Sequence, residues 1–141
     1  MSTVASDYTE HTNVMTAKRS SSERVVSLLK ITFGLVPIVA GADKFMHLLV
    51  NWDQYLAPVI ANMIPFSAHT FMLIVGVIEI IAGVIVLVKP KIGSLIVCIW
   101  LLGIAINLLL TGKYFDVAVR DIVMAMGAFS LFTLVSDRTE R

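Results

Sequence analysis

Long apolar blocks alternate with short polar ones along this chain. Residues 1–24 are rich in Ser, Thr and charge and show no apolar period, which predicts a mobile tail. Apolar runs then occupy residues 25–42, 71–88, 92–112 and 117–136. As helices, runs of this length cross a hydrocarbon core about 30 Å thick. Residues 137–141 form a second polar tail. Residues 45–63 differ from the other blocks, because Phe45, Leu48, Trp52, Tyr55, Leu56 and Val59 share one helical face opposed by His47, Asn51, Asp53 and Gln54. Aromatic residues at the edge of such a face predict a helix lying in the membrane interface, divided at Pro58 and ended by Pro65. The expected fold class is all-α: a four-helix transmembrane bundle over residues 25–136, with an amphipathic interfacial segment between helices 1 and 2.

Within the first span, Lys30, Gly34, Pro37, Gly41 and Lys44 recur at alternating spacings of four and three, which draws one stripe along the helix. Pro37 predicts a kink there, tolerable where neighbouring helices absorb the freed carbonyl. Lys89-Pro90-Lys91 closes the second span, and residues 113–116 make a short turn between the third and fourth.

Composition agrees with this pattern. The 141-residue chain is 57% apolar and 15% charged, and its mean hydropathy is +0.87. These are the proportions of an integral membrane protein in contact with lipid. A net charge of +1 gives no electrostatic case for nucleic acid. The single cysteine, Cys98, lies in an apolar run, where a lone thiol reads as a small buried hydrophobe. Charge also predicts orientation. With both termini inside, the inner face holds Lys18, Arg19, Arg24, Lys30, Lys89, Lys91, Arg138 and Arg141, against Lys44, Lys113 and Arg120 outside. That bias predicts cytoplasmic termini, with residues 45–63 on the outer face.

The polar residues inside the spans carry the candidate chemistry. Glu79 sits near the middle of residues 71–88, roughly 12 Å from one end and 14 Å from the other at helical rise. A carboxylate at that depth needs a partner, a proton or a cavity. Gly76, Ala82 and Gly83 share its face, so Glu79 is expected to point into the protein. Lys44 ends the first span, Asn107 lies in the third beside Gly103 and Thr111, and Arg120 and Asp121 open the fourth. Lys44, Glu79, Asn107, Arg120 and Asp121 therefore form the candidate binding pocket, with Arg120 the first expected partner of Glu79 and Lys44 the second. The same residues also fit a purely structural network, in which Asp116 and Arg120 pair locally and Asn107 serves Glu79. A ligand, proton or quinone-headgroup site and a partner contact are the other readings.

His11 lies in the tail, and His47 and His69 flank the outer connection. None lies deep in a span, so no haem is predicted. Metal at His47, His69 and Asp53 is the minor alternative to ordinary interfacial polar residues, and no metal is predicted. Catalytic triads, phosphate loops and carboxylates at catalytic spacing are also lacking in the sequence, so a stand-alone enzyme ranks lowest.

Residues 28–135 resemble the DoxX-like family of small four-helix membrane proteins. The resemblance rests on Gly41-Ala42-Asp43-Lys44 at the end of the first span, the amphipathic connection, and glutamate amid glycines at residues 76–83 (GVIEIIAG). It implies a non-catalytic accessory subunit of a membrane redox complex in the bacterial inner membrane, with quinone as the implied cofactor and other redox subunits as partners. Lys44 and Glu79 are the family-matching polar positions. Relatives that use cysteine pairs find no counterpart here. The alternative from another class is a small proton-coupled carrier or ligand-binding protein using Glu79.

Overall fold

The computed structural model describes residues 2–140; Met1 and Arg141, the ends of the two expected tails, lie outside the described residues, as do the Ser2 and Arg19 side chains. The protein is all-α. Helix α1 spans Ser2–Met46, followed by a single 3-10 turn at Trp52–Tyr55 and a short helix α2 at Pro58–Met63. Helices α3 (Ala68–Val88), α4 (Pro90–Thr111) and α5 (Phe115–Thr139) complete the chain. α1, α3, α4 and α5 are each long and apolar enough to cross a membrane.

Short connections make neighbouring spans antiparallel. Ser67 caps α3 by accepting the Thr70 N–H at 3.2 Å. Lys89 alone separates α3 from α4, and Pro90 at the first helical position restarts the chain without a lost hydrogen bond. Gly112 ends α4 at φ 70°, a conformation glycine adopts without strain.

Two residues of the sequence pattern meet in an unexpected way along α1 and α3. A side chain on Gly41 would bring its Cβ to 2.5 Å from the Gly76 carbonyl oxygen, and one on Gly76 would come to 2.8 Å from the Gly41 oxygen. Gly34 and Gly83, one heptad further along each helix, also meet: a Cβ on Gly83 would strike the Gly34 carbonyl oxygen, whereas one on Gly34 would run into the Leu87 side chain. The two backbones thus touch at two antiparallel glycine pairs, the small-residue contact by which membrane helices gain dispersion energy where hydrophobic burial gives none. α4 packs chiefly on α5, and α3 joins the two pairs. Phe33, Val86, Val97 and Leu131 fill the centre with Cys98 and three alanines. Larger apolar side chains such as Ile81, Ile99, Ile106 and Met126 face outward, as lipid contact requires.

Two expectations are corrected. Residues 2–24 are helical and continuous with the first span, although their polar composition predicts no regular structure. Thr9, Thr12 and Thr16 each turn a hydroxyl back to the carbonyl four residues earlier, so their polarity is spent within the helix. At its base, Ser22 accepts from Arg138 of α5 at 3.1 Å. The segment 45–63 is not one interfacial helix. α1 stops at Met46, His47 reverses the backbone at φ 52°, and only the 3-10 turn and α2 are helical beyond it. Leu56 and Ala57 are buried in the bundle, whereas Leu48 and Leu49 are exposed.

Candidate functional site

The end of the bundle bearing the α1–α3 connection holds the buried charges. Glu79 is 6% exposed and Lys44 3%, and Lys44 Nζ donates to Glu79 Oε2 at 2.6 Å. Helix geometry explains the match. Every Cα–Cβ bond tilts toward its own helix N-terminus. Lys44, at the connection end of α1, therefore slopes into the bundle, and Glu79 on antiparallel α3 slopes back to meet it. The register fixed by the glycine pairs puts the two on the shared seam.

The expected Arg120–Glu79 pair does not form. Arg120 sits one turn into α5, whose N-terminus is at the connection end, so its side chain slopes outward and pairs with Asp116 at 3.7 Å. Both partners are largely exposed, and such a pair is worth little. Arg120 is therefore removed from the pocket, and the local Asp116–Arg120 pairing holds instead.

Asn107 does not serve Glu79 either. Its Oδ1 accepts the Ala57 N–H at 2.9 Å and its Nδ2 donates to the Tyr55 carbonyl at 2.7 Å. One amide thus replaces a strand neighbour for the buried backbone of the connection, satisfying a donor and an acceptor that lipid could not.

Asp43 and Trp52 carry roles that the sequence left unassigned. The Asp43 carboxylate accepts the Trp52 indole N–H at 2.7 Å and the Leu48 and Leu49 backbone N–H groups at 3.0 Å each. The connection is thereby folded back over the end of α1. Lys44 Nζ lies 3.8 Å from the centroid of the same indole, in cation–π contact. The adjacent residues Asp43 and Lys44 thus hold the edge and the face of one ring. The signal for this in the sequence is an aspartate at a helix end followed nine residues later by tryptophan, too common a pattern to single out.

Asp121 completes the cluster. It is 7% exposed on α5 and close enough to Glu79 and Lys44 to feel both charges. It makes no hydrogen bond among the described residues. Trp100 Nε1 is also buried without a partner of hydrogen-bond geometry, though it lies near the Glu79 carboxylate. One ammonium, two carboxylates and one unengaged indole N–H therefore share the interior, with the Trp52 ring over the ammonium. Of the five candidate residues, the structure brings Lys44, Glu79 and Asp121 together, gives Asn107 to the connection, and turns Arg120 away.

Comparison with protein-family models, curated proteins and solved structures gives no match to this chain.

Proposed function

We propose that the chain is a DoxX-like integral membrane protein that serves as a non-catalytic accessory subunit of a quinone-linked redox complex, in a bacterial inner membrane with both termini cytoplasmic. The observation that carries this reading is that Lys44, Glu79, Asp43 and Asn107 are each engaged by internal partners. Lys44 is held by Glu79 and Trp52, Asp43 by Trp52 and two backbone amides, and Asn107 by the backbone of residues 55–57. Groups that must release a substrate keep capacity free for it, whereas these join helix to helix and helix to connection. The family-matching residues Lys44 and Glu79 are each other's partner, which fits a structural pair rather than a reaction centre. The excess of Lys and Arg on the tails and the α3–α4 turn supports the orientation.

Quinone fits the cluster only in part. A quinone headgroup presents two carbonyl acceptors, and among the described residues the one donor beside the charges without a partner of hydrogen-bond geometry is the Trp100 N–H, which lies near the Glu79 carboxylate. The chain supplies one hydrogen bond, and a neighbouring subunit supplies the rest of the site.

Asp121 favours a second reading, a small proton-coupled carrier. Asp121 is a second buried carboxyl group near the Lys44–Glu79 pair, without a hydrogen-bond partner among the described residues, and such a group within a span marks proton relays and ion pathways. The two readings separate when the protein is purified from its native membrane in mild detergent and all co-purifying chains are identified by mass spectrometry. A redox subunit at fixed stoichiometry supports the accessory reading. Isolation as a lone chain overturns it, and pH-driven uptake into proteoliposomes that is lost in Asp121→Asn then establishes the carrier.

A further inference from the structure

We infer that His47, Asp53 and His69 form a binding site for a divalent transition ion of the Zn2+ class, fastening the α1–α3 connection to the first turn of α3. The three come from separate places: His47 just past the end of α1, Asp53 in the 3-10 turn, and His69 in the opening turn of α3. One ligand atom from each lies within 4.8 Å of those of the other two. His69 Nδ1 is already 3.5 Å from Asp53 Oδ2, and the two imidazoles stack with centroids 5.2 Å apart and planes inclined by 22°. Tetrahedral zinc with bonds of about 2.0–2.2 Å sets its ligand atoms about 3.3–3.5 Å apart. The His69–Asp53 spacing meets that value, and a rotation of the exposed His47 ring closes the remainder.

Three further features point to a ligand. Asp53 Oδ1 is buried and has no hydrogen-bond partner, so half of this carboxylate is desolvated without compensation. His47 holds a left-handed backbone, φ 52°, a conformation strained for a non-glycine residue, and its ring stacks against His69. Both histidines are exposed, so an ion has a route from solvent and room for a water in a fourth position. Two imidazoles and one carboxylate are donors for zinc and its first-row neighbours, whereas calcium and magnesium take oxygen sets. The site departs from the expectation that these are only interfacial polar residues. It is independent of the accessory role proposed above.

The test uses the full-length chain in detergent, stripped with chelator and titrated with Zn2+ by isothermal calorimetry. Wild type and the control His11→Gln are expected to bind one equivalent. Affinity is expected to fall at least tenfold in each of His47→Gln, Asp53→Asn and His69→Gln. Co2+ titrated into unmutated protein should give the visible absorption of a tetrahedral nitrogen–oxygen site, which needs no variant to fold. Absence of saturable binding overturns the inference. So does binding that survives all three substitutions or is lost with His11.

Discussion

The Asp43 carboxylate accepts the Trp52 indole N–H at 2.7 Å, and through that bond the connection becomes the lid of the buried charge cluster. The same indole covers Lys44 at 3.8 Å, so loosening Trp52 exposes the ammonium to water. Trp52→Phe keeps an aromatic face and removes the donor. It is expected to cost about 1–3 kcal/mol, the usual penalty for leaving a buried acceptor short of a partner. Limited proteolysis should cut the variant within residues 47–57 faster than wild type, while the spans remain resistant. Equal cleavage rates would assign the Asp43–Trp52 bond no part in closing the connection.

Lys44→Met leaves Glu79 buried without its counter-charge. Breaking such a pair from one side costs about 3–5 kcal/mol, whereas replacing both partners with apolar groups is often neutral. Thermal unfolding in detergent should show large losses for Lys44→Met and for Glu79→Leu, and a smaller loss for the double variant than for either single one. Additive losses would mean that the two side chains do not stabilise one another.

Arg120→Gln removes only an exposed pair with Asp116 and should move stability by no more than about 0.5 kcal/mol. A fall in melting temperature as large as that of Lys44→Met would restore Arg120 to the interior network.

Glycine substitutions should sort by contact. Gly76→Val drives side-chain atoms into the Gly41 backbone and should prevent α1 and α3 from packing. A Cβ on Gly103 meets nothing within 4 Å, so Gly103→Ala should be neutral or stabilise by up to about 1 kcal/mol through helix propensity. Folded yield by fluorescence-detected size exclusion distinguishes the two. A monodisperse, wild-type-like Gly76→Val protein would refute the close contact.

Asn107→Leu preserves bulk and leaves the Ala57 N–H and the Tyr55 carbonyl unpaired. A cost of about 1–3 kcal/mol for each unsatisfied group is expected. Hydrogen exchange should accelerate at Ala57 and leave the midpoints of α3 and α4 protected. Unchanged protection at Ala57 would show that another group takes over from the amide.

The sequence by itself determined the four spanning helices, because length and apolar content are local properties that lipid reads directly. It also determined that Glu79 turns inward, since Gly76, Ala82 and Gly83 give its face no bulk to offer lipid. Tertiary structure decided the partner. Lys44 and Glu79 are 35 residues apart, and only the antiparallel register set by Gly34 against Gly83 and Gly41 against Gly76 brings their opposed slopes together. The same tilt rule on α5 sends Arg120 outward. Residues 45–63 carry a helical apolar period, but Asp43 captures the Leu48 and Leu49 amides and the Trp52 indole, and Asn107 captures Ala57. Those hydrogen bonds outweigh a helical preference; the Asn107 bond spans 50 residues, and the Asp43 bonds, though close in sequence, leave no mark on a pattern of apolar positions.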